Sequence, residues 1–118
     1  MVSLAGMKTV SVARDLMARR QFDLALDQWR SVLADNPDIV VALVGSGDCL
    51  MALKQFVSAV EVYARAQALK PEVPDLLFAL GTAEVAAGLP ERARDHLQQY
   101  LEHDDTNPHA HNNLAMAF

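Results

Sequence analysis

Residues 40–73 read VVALVGSGDCLMALKQFVSAVEVYARAQALKPEV. Two apolar runs lie in this stretch. Leu43, Gly47 and Leu50 recur at helical spacing, and so do Phe56, Ala59, Tyr63 and Ala66. Lys54-Gln55 parts the two runs as a short polar turn, and Pro71 closes the second. The stretch reads as two helices joined by a tight turn.

Working outward, the same pattern returns at a 34-residue interval, the distance from Pro37 to Pro71. Ala25, Ala59 and Ala93 form one column. Ala13, Gly47, Gly81 and Ala115 form a column of small residues, and Trp29, Tyr63 and Leu97 one of large residues. Leu16, Leu50 and Phe118 share a column, as do Phe22 and Phe56. Fixed-period self-similarity of this length marks a repeat array. Three units follow, at about 6–39, 40–73 and 74–107, with a partial fourth at 108–118. The expected helices are about 7–19, 22–35, 39–53, 56–69, 74–87, 90–103 and 108–118. Pro71, Pro74, Pro90 and Pro108 fall at their boundaries, where a missing N–H and a fixed φ cost little. Asn107-Pro108 reads as an N-cap and first helical residue.

Small columns imply close approach. Glycine inside a helix costs about 1 kcal/mol against alanine, so Gly47 and Gly81 need a packing contact to offset it. Cys49 aligns with Ala83 and Ala117 and reads as a small buried filler.

Leu80-Gly81, Ala93 and Leu97 in one unit, and Gly47, Leu50, Ala59, Tyr63 and Pro71 in another, resemble the tetratricopeptide repeat signature at its own period. The resemblance covers residues 6–118. Four positions depart from it: Ser46 and Glu84 replace large apolar residues, Gln67 interrupts a column of Leu33 and Leu101, and Pro90 replaces an aromatic. The resemblance implies an all-α solenoid of about three hairpins plus one terminal helix, wound as a right-handed superhelix. It also implies a concave wall made by the first helix of each hairpin, and protein or peptide binding as the activity.

Composition bounds the alternatives. The net charge of −5 argues against a nucleic-acid partner. Residues 1–37 carry five basic and four acidic side chains, and residues 74–118 carry two and seven, so the front is near neutral and the rear acidic. No run of about 18 uncharged apolar residues occurs, so no membrane span is expected. One cysteine excludes an internal disulfide. With no secretory signal pattern, a cytoplasmic location is the expectation.

Very little in the sequence looks catalytic. There is no phosphate loop, CxxC or HExxH, and no serine stands in a nucleophile elbow. His96, His103, His109 and His111 lie in the last third beside Asp104 and Asp105, but no metal-site spacing is matched. No enzyme activity, metal or other cofactor is expected.

The candidate site is a second stripe on the first helices: Met7, Val10, Arg14 and Met17; then Val41, Val44, Asp48 and Met51; then Asp75, Phe78, Thr82 and Val85; then His109, Asn112 and Met116. By resemblance these line the groove. They would make an apolar, methionine-bearing floor, suited to adaptable peptide recognition and broken by Arg14, Asp48 and Asp75. The same stripe would also serve packing between repeats. Repeat domains that clamp the C-terminal carboxylate of heat-shock chaperones use Lys, Arg and Asn on this wall. Here those places hold Val10, Arg14, Gly45, Asp75 and Ala79, so that subtype is not expected.

The expected function is a protein–protein interaction module or scaffold that holds an apolar or amphipathic partner segment. A repeat region of a larger enzyme and a self-assembling structural protein are the alternatives. Residues 108–118 carry Leu114, Ala115 and Phe118 with no second helix to cover them. That leads to the expectation of a fragment of a longer protein, or of self-association through the terminal helix.

Overall fold

The computed structural model describes residues 3–117. Among these, seven helices follow in order: α1 (Leu4–Ala18), α2 (Phe22–Asp35), α3 (Val40–Ala52), α4 (Phe56–Leu69), α5 (Pro74–Ala87), α6 (Pro90–His103) and α7 (Pro108–Met116). Each packs on the next, and α1 touches α3 as α5 touches α7. The result is a stack of three hairpins and a final helix, 43 × 26 × 22 Å.

Most helix ends lie where the sequence puts them. Helix α1 begins earlier than the expected residue 7, because the Ser3 hydroxyl accepts from the Gly6 N–H at 3.0 Å and caps it. Helix α3 is one residue shorter at each end than the expected 39–53. Asn107 caps α7 as expected, its Oδ1 accepting from the His109 and Ala110 N–H groups. The expected extension of α7 to Phe118 falls outside the described residues.

All three hairpin turns share one device. Arg20, Lys54 and Gly88, spaced 34 residues apart, have φ of 61°, 62° and 77°. The next residue's N–H reaches back to the Leu16, Leu50 and Glu84 carbonyls respectively, closing a Schellman turn.

The core runs between the hairpin layers. Ala13, Ala25, Trp29, Leu50, Ala59, Tyr63, Leu80 and Ala83 form one cluster through α1–α5, and Leu77, Tyr100 and Ala110 pin α7 to α5 and α6. Small residues set how closely the helices approach. A Cβ on Gly47 would collide with the Tyr63 ring, and one on Gly81 would come within 2.7 Å of Leu97 Cγ. Cys49 is fully buried, as its column implies.

Glu84 is fully buried at a position whose column partners are Leu16, Leu50 and Phe118. His96 Nδ1 lies 2.6 Å from Glu84 Oε1, and Arg92 Nε lies 3.2 Å from Oε2. The Arg92 approach is off the line of a hydrogen bond, so Oε2 is paired by charge without an aligned donor. Two residues of α6 thus reach across to a carboxylate that α5 buries.

Candidate functional site

Helices α1 and α3 touch directly. Trp29, from α2, fills the space beneath α1 and α3. Its indole lies so close to Gly45 that a Cβ there would collide with the ring. Its Nε1–H points at Met17 Sδ, 3.3 Å away. Tyr63 has the equivalent role in the following repeat: its hydroxyl donates to Asp48 Oδ1 at 2.5 Å. An indole and a phenol therefore brace the groove wall from behind.

Two adjoining cavities open between α1 and α3. One, of about 320 Å³, is lined by Met7, Val10, Ser11, Arg14 and Val41. The other, of about 210 Å³, is lined by Arg14, Met17, Trp29, Val41, Val44, Gly45 and Asp48. Arg14 and Val41 belong to both. Seven of the candidate residues are thus brought together: Met7, Val10, Arg14, Met17, Val41, Val44 and Asp48.

The rear half of the stripe is placed differently. Phe78 stacks on Tyr100, ring centroids 5.3 Å apart, and is half-buried. The Thr82 hydroxyl donates to the Phe78 carbonyl at 2.8 Å and accepts from Asn113 Nδ2 at 2.9 Å. Met51 and Val85 are half-buried, Met51 against the main core. Asp75, Asn112 and Met116 are exposed, on α5 and α7. None of these lines the two cavities.

Three lining residues escape the sequence stripe: Ser11, Gly45 and Trp29. Ser11 and Gly45 share a column beside Val10 and Val44, so a wider stripe would have included them. The signal for Trp29 was its size opposite a glycine-bearing helix.

Electrostatics single out the front of the groove. Asp48 is exposed as a residue, yet its surroundings desolvate the carboxyl and push its pKa up, with the Tyr63 hydroxyl pulling the other way. Burial first, then Asp48, pushes the Tyr63 phenol up. Arg14 is exposed and, among the described residues, makes no ion pair or side-chain hydrogen bond.

The histidines do not converge. His96 faces Glu84, and His111 Nε2 lies 2.7 Å from the Asp105 carbonyl. Among the described residues no three metal-ligating side chains come together. No helix there is long and apolar enough to cross a membrane.

Repeated helix hairpins, each packed on the next, define an α-helical repeat protein. Tetratricopeptide repeat family models match residues 13–74 and 50–117, and the chain belongs to the tetratricopeptide repeat family. It is 33% identical over 90 residues to the BBSome complex member BBS4 of Bos taurus, a match that covers 75% of this chain and 17% of that protein. The chain therefore spans about a sixth of that relative's length. Among solved structures, it is similar to the first TPR of Spaghetti (RPAP3) bound to the HSP90 peptide SRMEEVD, with a TM-score of 0.86 and 20% identity over 95% of this chain and 89% of that one. It is also similar to the Yersinia enterocolitica type III secretion chaperone SycD in complex with a peptide of the translocator YopD. There the TM-score is 0.85 and the identity 16%, over 98% and 93% of the two chains. At these identities the two structures speak for the fold.

Proposed function

We propose that this chain is a protein-interaction module that seats an apolar or amphipathic partner segment in the cleft between α1 and α3, with no catalytic step of its own. The observation that carries the reading is the pair of adjoining cavities, together about large enough for two to three large side chains and walled mostly by Met, Val and Trp. Methionine at a binding wall adapts to the shape of its occupant. The two similar solved structures are peptide complexes, with an HSP90 peptide and a translocator peptide as their occupants.

Met7 and Val41 stand at the lip of the cleft, 59% and 37% exposed, so they can be changed without opening the core. The test starts with peptides of random sequence selected on the wild-type chain. The double variant Met7→Glu with Val41→Glu should keep its helical circular dichroism spectrum. It should lose about 1–3 kcal/mol of binding for each anchor removed. If the folded variant keeps full affinity for the selected peptides, the cleft is not the site. A charge at Phe78 makes a poorer test, because that ring packs on Tyr100.

A further inference from the structure

We infer that the partner segment carries a carboxylate side chain between its apolar anchors, and that Arg14 receives it. The inference rests on the cleft being the binding site. Among the groove positions of the first-helix column, Asp48 is held by Tyr63, and Thr82 by Phe78 and Asn113. Arg14, which is the basic residue of the stripe, makes no ion pair or side-chain hydrogen bond among the described residues. It also lines both cavities, so an occupant that fills them passes over its guanidinium.

In the empty groove water satisfies the five N–H donors of Arg14. An apolar segment that seats in the cleft strips that water away. A desolvated charge left unpaired opposes binding, whereas a carboxylate that forms the two-pronged pair favours it. Asp48, which lines the second cavity with Arg14, is engaged by the Tyr63 hydroxyl and forms no ion pair with Arg14. The groove thereby selects by penalty as well as by attraction: purely apolar segments are disfavoured, and segments with a lysine at that point more so. The occupant is an internal stretch of a partner protein with large apolar residues on either side of a glutamate or aspartate.

The test uses two synthetic pools of C-terminally amidated peptides about twelve residues long, a length that spans such a groove. Both are randomised over Leu, Met, Phe, Ala and Ser, with a fixed central Glu in one pool and Gln in the other. Equal amounts compete for the immobilised chain, and mass spectrometry reads the bound ratio. The Glu pool should dominate by roughly tenfold, as a charge-assisted pair outweighs a neutral one. Arg14→Gln should bring the ratio to about one, and Arg14→Glu should favour a matching Lys pool. If both pools bind the wild type equally and Met7→Glu with Val41→Glu releases both, the cleft reading stands and the carboxylate inference falls. If neither pool is retained, both fall. If only a Gln pool with a free C-terminus is retained, the carboxylate comes from a chain end and the inference is overturned.

Discussion

Arg20, Lys54 and Gly88 occupy the same left-handed backbone position in successive turns, and two of the three are not glycine. A side chain there crowds the backbone by about 1–2 kcal/mol, which glycine avoids. Lys54→Gly should therefore stabilise the chain by about 0.5–1 kcal/mol after the larger unfolded-state entropy of glycine is deducted. Gly88→Ala should destabilise it by a similar amount through strain alone, since nothing lies within 4 Å of its absent Cβ. Urea denaturation of both variants measures this, and equal midpoints would contradict the assignment. Cys49 yields a second expectation at this scale. It is fully buried, and burial with the nearby Asp48 charge pushes its thiol up to about 11. The native chain should therefore resist alkylation at pH 8 and react only when unfolded, which a timed thiol-labelling assay checks. Above the ordinary thiol range and up to about 11, the folded chain holds this proton more tightly than the unfolded one. Stability should then fall as pH rises through that window. The buried thiol was legible from its alignment with Ala83 and Ala117. The strained turns were not, because only Gly88 advertises a positive φ, and nothing in the Arg or Lys side chain does.

At the scale of the helix, the hairpin is set by one contact between a small residue and a large one. Gly47 meets Tyr63, and Gly81 meets Leu97. Gly81→Leu would drive a branched side chain into Leu97 and overpack the crossing between α5 and α6. The cost should be roughly 1–3 kcal/mol or more, and a thermal melt within a degree of the parent would overturn this. Period and column composition made these crossings readable. They did not reveal the contact between Gly45 and Trp29, which joins two hairpins, because a fixed-period alignment compares units and is blind to what passes between them. The same alignment flagged Glu84 as a departure but could not say what balanced it. The answer lies one helix away, in His96 and Arg92. A buried ion pair replaced by a fitting apolar residue is often neutral or stabilising, whereas removal of one partner is costly. Glu84→Leu, which restores the residue of its column, should therefore leave stability equal or higher. His96→Leu should lower it by about 1–3 kcal/mol by leaving the buried Oε1 of Glu84 without its partner. The reverse order in chemical denaturation would mean that the pair organises α5 and α6 instead of merely balancing a misplaced charge.

Across the whole molecule, stability is a chain of neighbour-to-neighbour contacts, so position in the stack governs the reach of a change. The outer face of α1 has Lys8, Thr9 and Val12 where α3 has Ala42, Leu43 and Ser46 and α5 has Leu76, Leu77 and Leu80. All six of those inner residues are buried. Lys8 and Thr9 are thus polar where the inner helices bury apolar residues. The opposite end differs. Ala115 is exposed although its column partner Ala13 is fully buried, and Met116 is 71% exposed. Helix α7 is held by its caps, by Ala110, by the Asn107–Tyr100 bond at 3.0 Å and by the Asn113–Thr82 bond. It is the shortest of the seven helices. Backbone protection should accordingly fall toward α7, with openings well below the free energy of the whole stack. Native-state hydrogen exchange should find the α7 amides exchanging first and α3 and α4 last. Asn113→Ala should speed exchange in α7 severalfold while leaving α1 to α4 unchanged, since it removes one bond at the edge of the array. Gly81→Leu, one hairpin inward, should raise exchange in α5, α6 and α7 together. If Asn113→Ala instead raised exchange uniformly through α1, the stack would be a single cooperative unit and the neighbour-by-neighbour account would fail.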